Sequence, residues 1–150
     1  MELRQLTMAD EREIQRVIHA AFAAEPWNDR WQEDEVFHHY VEDLVDNQNS
    51  LALGLEDGGE LAGLALGRLK HWFDGVEYCV DDLCVMPGRQ GKGIGSELLR
   101  QMEAYGRRHG IARITLRTDR TAPAYQFYRK NGFQELAHKV CLTLSCEPVR

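Results

Sequence analysis

Gly91, Gly93 and Gly95 alternate with other residues between an apolar stretch and an amphipathic stretch. A helix that begins at such a turn has backbone N–H groups without intrahelical partners, and its dipole adds positive charge there. Glycines let the backbone close around a phosphate, and Arg89 and Lys92 add positive charge. The turn therefore predicts a site for a diphosphate, with an ordinary strand-to-helix turn as the alternative.

The glycine spacing does not fit the two common nucleotide motifs. A dinucleotide fingerprint needs G-x-G-x-x-G and an acidic residue about 20 positions later. Here the pattern is G-x-G-x-G, and Arg113 and Ile114 stand at that distance. A P-loop needs a Lys followed by Ser or Thr, and Lys92 lies between two glycines. Both readings fail.

Two adjacent carboxylates, Asp81 and Asp82, enter an otherwise apolar stretch just before the glycine turn. Either could act as a general base, or could brace the strand or a neighbouring loop. Neighbouring strand residues face opposite ways, so only one of the pair can line a pocket unless a β-bulge intervenes. Glu77 is a third, poorer candidate.

The chain resembles the GNAT family of N-acetyltransferases. The signature [QR]-x-x-G-x-[GA] of that family is met by residues 90–95, and its tyrosine before a Gly-Phe pair is met by Tyr128, Gly132 and Phe133. The order of elements is similar from about Leu3 to Leu144. Residues 81–99 also resemble the diamine (spermidine/spermine) acetyltransferase branch.

This resemblance implies an α/β fold: a mixed, mostly antiparallel central sheet with splayed central strands and helices on both faces. It implies that acetyl-CoA is held in the gap, with no metal. Its pantetheine arm would bond backbone groups of Leu83, Cys84 and Val85 like an added strand. The turn would bind the diphosphate through Arg89, Gln90, Gly91, Lys92, Gly93, Ile94, Gly95 and Ser96.

The resemblance also implies an N-acetyltransferase that moves an acetyl group to a primary amine. Asp81 aligns with the acidic catalytic position of the diamine branch, with Asp82 as the alternative base. Tyr128 would protonate the departing thiolate, although Tyr125 and Phe127 allow a stripe of aromatic packing instead. Many relatives carry an asparagine that contacts the cofactor seven residues before the tyrosine, whereas Thr121 stands at that position here.

Trp27 and Trp31, with the acidic residues 33–35, occupy the connector that family members use to shape the acceptor side. Aromatic faces attract ammonium groups by about 0.5–2 kcal/mol. Together with Asp81, these residues predict a polyamine or amino-sugar acceptor. The alternative is that the two tryptophans pack at the end of the hydrophobic core. The alternative functions are a protein N-terminal or lysine acetyltransferase and a non-catalytic, regulatory acyl-CoA-binding module.

Composition sets broader limits. The 150 residues suit one domain, residues 1–150, with 43% hydrophobic and 28% charged residues and a net charge of −6. We expect a soluble cytoplasmic protein without a membrane partner, because no export signal or long apolar run is evident. We expect no nucleic-acid partner, because the negative net charge repels nucleic acid. The four cysteines lie in apolar runs and are expected to be buried free thiols.

Periodicity predicts the elements that position these residues. A helix capped by Asp10 and a second amphipathic helix come first, and Gly110 ends the helix after the glycine turn. The last strand could join two copies through Val140 to Leu144, which makes a homodimer plausible. The predicted strands span residues 2–6, 51–55, 61–69, 76–86, 111–116 and 133–144, and the predicted helices 14–22, 36–45, 94–109 and 122–130.

Overall fold

The computed structural model describes residues 1–23, 31, 33–89 and 91–148. The chain divides into two compact units, Met1–Thr118 and Asp119–Arg150. Within the described residues, no helix is both long and apolar enough to cross a bilayer.

The first unit contains a five-stranded sheet, and neighbouring strands in space follow the order of the chain. The first four strands pair antiparallel, and the fifth is parallel to the fourth. This mostly antiparallel sheet confirms the predicted fold class. The strands are β1 (Glu2–Gln5), β2 (Ser50–Asp57), β3 (Glu60–Trp72), β4 (Gly75–Val85) and β5 (Ile111–Leu116).

Helices cover both faces of this sheet. The helices α1 (Glu11–Phe22) and α2 (Asp34–Val45) carry apolar residues three or four positions apart, which form one buried stripe on each helix. The helix α3 (Ile94–Arg108) packs on the opposite face, where Leu98 lies against Gly63 of β3. The main core lies under α1 and α2 and includes Ile14, Val17, Phe37, Val41, Leu64, Leu66 and Cys84.

The start of α1 differs from the prediction. Thr7 and Asp10 form a reciprocal capping box around a short 3-10 helix, Met8–Asp10, and Asp10 makes no side-chain cap for α1. The Asp10 carboxylate instead accepts hydrogen bonds from Arg4 and from the Thr7 backbone, and these bonds lower its pKa. The carboxylate is therefore used one turn earlier than the spacing suggested.

The second unit contains α4 (Pro123–Lys130), and the predicted last strand is wrong. Residues 134–148 contain neither helix nor strand. The alternating side chains Val140, Leu142 and Leu144 are 78%, 88% and 88% exposed. Alternation gives a segment β propensity, but a strand also needs a backbone partner. The segment therefore lacks the ladder on which the prediction depended.

The four cysteines are free, as predicted, but burial differs among them. Cys84 is buried and Cys79 is half-buried, whereas Cys141 and Cys146 are exposed. The expectation of four buried thiols is therefore wrong for the two in the second unit, because their segment is exposed.

Candidate active site

β4 is paired differently along its two halves. β3 pairs with β4 along its whole length, from Gly75 to Val85. β5 pairs only with the first half, where the last matched residues are Val80 and Leu116. Among the described residues, no strand pairs with the β5 side of β4 beyond Val80. This separation of β4 and β5 is the splay that the resemblance implied, and Leu83, Cys84 and Val85 lie in it.

A β-bulge marks the boundary between the halves. Asp82 is matched with Leu66 and Val80 with Gly67, so Asp81 is an extra residue on β4. A Cβ on Gly67 would lie 2.9 Å from Val80 Cα and still nearer to the Cys79 carbonyl oxygen. The two strands thus approach each other too closely here for any side chain at position 67. The glycine allows the bulge to form.

Because of the bulge, both aspartates lie on the α2 side of the sheet. The Tyr40 hydroxyl of α2 donates a hydrogen bond to Asp82 Oδ2. Asp81 lines an open cavity beside the same tyrosine. Asp81 and Asp82 therefore both face α2, and Asp81 is the more exposed of the two.

The cavity has a volume of about 420 Å³ and is formed by α2, β3, β4 and the residues after β5. It combines both signs of charge with one aromatic and one aliphatic side chain. Its lining residues are Tyr40, Asp43, Leu44, Arg68, Asp81 and Arg117.

Glu77, the poorer catalytic candidate, lies in the first half of β4 and has a full set of partners. Its carboxylate accepts hydrogen bonds from Cys79 Sγ at 3.0 Å, Trp72 Nε1 at 3.2 Å and Arg113 Nε at 3.3 Å. These bonds, led by the one from Cys79, lower the pKa of Glu77. The carboxylate is thus held ionised by structural contacts.

Two of the three glycines of the turn have the positive φ that the sequence suggested, whereas Gly95 lies inside α3. Gly91 and Gly93 have φ of 79° and 77°, in the left-handed region that favours glycine, and Gly93 is the N-cap of α3. The Glu97 N–H bonds to the Gly93 carbonyl at 3.0 Å, which places Ile94, Gly95 and Ser96 in the first turn. The N–H groups of such a turn suit an anion. Gln90 lies outside the described residues.

The two cations of the turn differ in their contacts. The Arg89 guanidinium bonds to Asp57 Oδ2 at 2.7 Å and to Glu60 Oε2 at 2.9 Å, which ties the turn to the hairpin of β2 and β3. Lys92 is exposed and makes no ion pair with any described residue. Of the two, Lys92 is the cation that can reach toward a bound anion without breaking an existing pair.

The β4 residues assigned to the pantetheine arm offer backbone rather than side-chain chemistry. Leu83, Cys84 and Val85 are matched with Ala65, Leu64 and Gly63 on the β3 side. The Cys84 side chain is buried, and burial raises the pKa of its thiol.

The predicted acceptor residues are only partly described. Trp27 lies outside the described residues. Trp31 stacks on Phe37 with ring centres 4.5 Å apart and lies 4.7 Å from the Tyr40 ring. It therefore packs on α2 beside a residue that lines the cavity, and its substrate contact stays a prediction.

Tyr128 belongs to the second unit, where it is buried. Its ring meets Phe133 edge-on at 5.4 Å, and its carbonyl accepts the Phe133 N–H at 3.0 Å. The hydroxyl of Tyr125, on the same helix, donates to Glu135 at 3.2 Å. The Gly-Phe turn thus fixes the Tyr128 ring, and its role as an acid stays a prediction.

The sequence reading missed Tyr40, Asp43, Arg68 and Arg117. A signal existed for the helical part, because Tyr40, Asp43 and Leu44 are three and four positions apart and share one helix face. Nothing local pointed to Arg68 or Arg117, because only the assembled sheet brings β3 and the residue after β5 to the same cavity.

Among the described residues, no group of three or more His, Cys, Asp or Glu side chains could hold a metal ion.

Comparison with known proteins gives a family match across most of the chain. The model of the "Acetyltransferase (GNAT) family" matches residues 8–133. That range includes β4, the glycine turn and Tyr128.

The relatives are acetyltransferases by name. Streptothricin acetyltransferase of Streptomyces lavendulae is 35% identical over 90 residues, which are 59% of this chain and 46% of that protein. N-alpha-acetyltransferase RimI of Mycobacterium tuberculosis is 39% identical over 88 residues, 56% of this chain and 52% of that protein. The match thus spans about half the length of these curated relatives.

A solved structure extends the likeness to the whole fold. An aminoglycoside acetyltransferase from an uncultured soil metagenomic sample, in complex with sisomicin, superposes with a TM-score of 0.74 at 17% identity and covers 96% of each chain. None of these three proteins is named as a diamine acetyltransferase, so the likeness to that branch is not confirmed.

Proposed function

The chain belongs to the acetyltransferase (GNAT) family, and from this premise we propose that it transfers the acetyl group of acetyl-CoA to a primary amine of a small molecule. The proposed reaction is direct attack of the amine in a ternary complex. The observation that carries it is the arrangement of β4: the strand leaves β5 at the carboxylate pair and then runs into the glycine turn.

The residues of the splay and the turn fit the proposed co-substrate. Backbone groups of Leu83, Cys84 and Val85 would bond the pantetheine arm, and the first turn of α3 with Lys92 would bind the diphosphate. Gly91 and Gly93 leave this surface open, because no atom lies within 4 Å of where their Cβ atoms would be. When bound, acetyl-CoA supplies the acetyl thioester.

Asp81 is the proposed base. An alkyl amine is mostly protonated near neutral pH, and only its neutral form attacks a carbonyl carbon. Asp81, in the cavity, would accept a proton from the ammonium group, directly or through one water. The nitrogen then bonds to the acetyl carbon as the carbon–sulfur bond breaks. Asp82, held by Tyr40, is the alternative base.

Tyr128 is the proposed acid. Its hydroxyl would give a proton to the departing thiolate, and the proton lost by the new amide nitrogen would restore that hydroxyl. Asp81 would release the proton taken from the ammonium group to solvent. This assignment rests on the family motif, with the packing of Tyr128 against Phe133 as its local support.

A small acceptor is favoured over a protein. A volume of about 420 Å³ is within the range of small-molecule sites, about 300–1,000 Å³. The net charge of −6 would attract an amine. Streptothricin acetyltransferase supports a small amine, and the RimI relative keeps a protein N-terminus as the second candidate. A non-catalytic acyl-CoA-binding module would have no use for Asp81 in an open cavity.

We also propose the class of the acceptor, the domain organisation, the location and the oligomeric state. The acceptor would be an amino-sugar or a polyamine, as for the diamine branch, with Trp27, Trp31 and Asp81 on its amine. The family match crosses the boundary between Thr118 and Asp119, which supports a single N-acetyltransferase domain over residues 1–150. A cytoplasmic location and a homodimer are further proposals. The contact predicted for the dimer was a last strand, and the described residues after α4 form no strand.

Calorimetric titration with acetyl-CoA tests the donor, with adenosine diphosphate and NAD as controls for general nucleotide affinity. We expect saturable one-to-one binding of acetyl-CoA alone. Absence of binding would contradict the transferase assignment.

Release of free thiol from acetyl-CoA in the presence of an amine panel tests the chemistry. Tyr128→Phe should lower kcat by about 10- to 100-fold with unchanged binding of acetyl-CoA. Tyr125→Phe, on the same helix, is the matched control and should keep its rate. Unchanged turnover in Tyr128→Phe would remove the tyrosine from the acid role.

A further inference from the structure

The cavity beside Asp81 is lined by charges of both signs. Asp43 and Asp81 contribute carboxylates, and Arg68 and Arg117 contribute guanidinium groups. A site built only for a polyamine would be lined by carboxylates alone, because a guanidinium repels an ammonium group. The balance of charge inside the cavity thus differs from the net charge of −6 of the whole chain.

The pairing of these charges is as informative as their sign. Several arginines of the first unit bond to a carboxylate at 2.5 to 3.1 Å, namely Arg4, Arg16, Arg89, Arg100, Arg107 and Arg113. Arg68 makes no hydrogen bond or ion pair with any described residue, and neither do the carboxylates of Asp43 and Asp81. Arg68 and the carboxylates of Asp43 and Asp81 therefore line one cavity without forming an ion pair among themselves.

Arg68 is positioned for a ligand rather than for the fold. It stands on β3 opposite Ser50 of β2, and its side chain is exposed at the cavity. A guanidinium presents paired N–H donors that match the two oxygens of a carboxylate. The carboxylates across the cavity match an ammonium group.

We infer that the acceptor carries a carboxylate as well as its primary amine. Arg68 binds the carboxylate, while Asp43 and Asp81 attract the amine. This inference rests on the proposed transfer to a small primary amine and departs from the polyamine acceptor. A zwitterionic acceptor of the amino-acid type is preferred over an amine of the same skeleton without the anion.

Matched pairs of acceptors test the preference. The acids are glycine, β-alanine, γ-aminobutyrate, ornithine and lysine, and the amines that lack the carboxylate are methylamine, ethylamine, propylamine, putrescine and cadaverine. Lysinamide keeps the lysine skeleton and removes only the anion. Initial rates of thiol release from acetyl-CoA give kcat/KM for each.

We expect at least one acid to exceed its partner amine by about tenfold or more, as a charge-assisted hydrogen bond allows. If lysine is the preferred acid, its kcat/KM should also exceed that of lysinamide. The series varies the spacing between amine and carboxylate, so the best acid measures the distance between the two halves of the site.

The Arg68→Gln variant assigns the preference to one side chain. It should raise KM for the preferred acid by about tenfold or more and leave the rate with the partner amine unchanged or higher. Lys70→Gln removes the same charge two residues along β3, outside the cavity, and should keep the preference. Equal loss for acid and amine would indicate a structural role and overturn the assignment.

The two proposals fail in different ways. Transfer to amines with no preference for a carboxylate, or with a preference for the amine partner, overturns this inference and leaves the proposed function standing. Transfer to an amino-sugar but to none of these acids overturns this inference alone, and no transfer to any amine, amino-sugars included, overturns both.

Discussion

The two halves of β4 differ in how their backbone and their charges are satisfied. From Val76 to Val80 the strand has a partner on each side, and the carboxylate of Glu77 has three hydrogen-bond donors. After Val80 the strand is paired with β3 alone, and Asp81 faces an open cavity. Two acidic residues four positions apart on one strand, Glu77 and Asp81, therefore have different surroundings.

This contrast shows that one strand can be paired on both sides at one end and open to a cavity at the other. The change occurs at a single extra residue, Asp81, opposite Gly67. A bulge re-aims side chains and ends regular pairing, and bulges are common beside active sites. The carboxylate of Asp81 is thus placed by backbone geometry, because it makes no ion pair with any residue that the structure describes.

The largest effect is expected from filling the space at the bulge. A Cβ at position 67 would meet the β4 backbone, which cannot shift as a side chain can. Gly67→Ala should lower the free energy of unfolding by about 3 kcal/mol or more. The control is Gly106→Ala in α3, where the nearest atom lies 3.5 Å away.

Urea unfolding of both variants measures the difference. Gly106→Ala should match the wild type or gain up to about 1 kcal/mol, because alanine favours a helix. Equal stability of Gly67→Ala and the wild type would mean that the two strands can separate without cost.

The next effect concerns kcat and distinguishes Asp81 from Glu77, which lie on the two halves of β4. Asp81→Asn should lower kcat by about 100-fold or more at neutral pH, because the base is lost. Glu77→Gln should change kcat by less than about threefold, although both variants remove one negative charge. Steady-state rates with saturating acetyl-CoA provide the comparison.

The pH dependence sharpens this test. The deficit of Asp81→Asn should shrink as the pH rises toward the amine pKa of about 10, since the amine then loses its proton unaided. A deficit that stays constant with pH would argue for a positioning role. If Asp82→Asn shows the larger deficit, the base is Asp82.

A smaller effect is expected from Tyr40, which connects α2 to the second half of β4. Tyr40→Phe removes the hydrogen bond to Asp82. We expect a loss of about 1–2 kcal/mol in stability and a several-fold lower kcat. Tyr105→Phe is the control, because that hydroxyl makes no hydrogen bond with the described residues. An unaltered kcat in Tyr40→Phe would mean that the hydrogen bond from Tyr40 to Asp82 does not contribute to catalysis.

The smallest effect concerns the helix that carries Tyr40. His38 of α2 forms an ion pair with Glu11 of α1, and the hydrogen bond to Glu11 raises the pKa of His38. The stabilisation is complete below the unfolded-state pKa of about 6.5 and is lost as the pH rises through the higher native value. His38→Gln should therefore lower the urea midpoint more at pH 6 than at pH 8.5.

His71→Gln is the matched control, since His71 is exposed and has no ion-pair partner among the described residues. Its urea midpoint should shift equally at both pH values. A His38→Gln difference that grows with pH would contradict the assignment of this pair.

Much of the fold was predictable because its signals are local. The bounds of β5 match the prediction, and β1, α3 and α4 begin or end within about two residues of it. The glycine turn was predictable for the same reason: a left-handed N-cap needs glycine, and its position is written in consecutive residues. The family motif added Tyr128, which no local pattern distinguishes from Tyr125.

The sequence by itself determined the order of the elements, the glycine turn and the presence of two carboxylates before it. Periodicity and turn chemistry need only neighbours along the chain. The tertiary structure decided that both aspartates share one face, because that depends on how closely Gly67 approaches the Cys79 carbonyl of another strand. It also decided the fate of residues 134–148, since a strand requires a partner that alternation cannot supply. The cavity that joins Asp43, Arg68 and Asp81 arises in the same way, from three elements far apart in the chain.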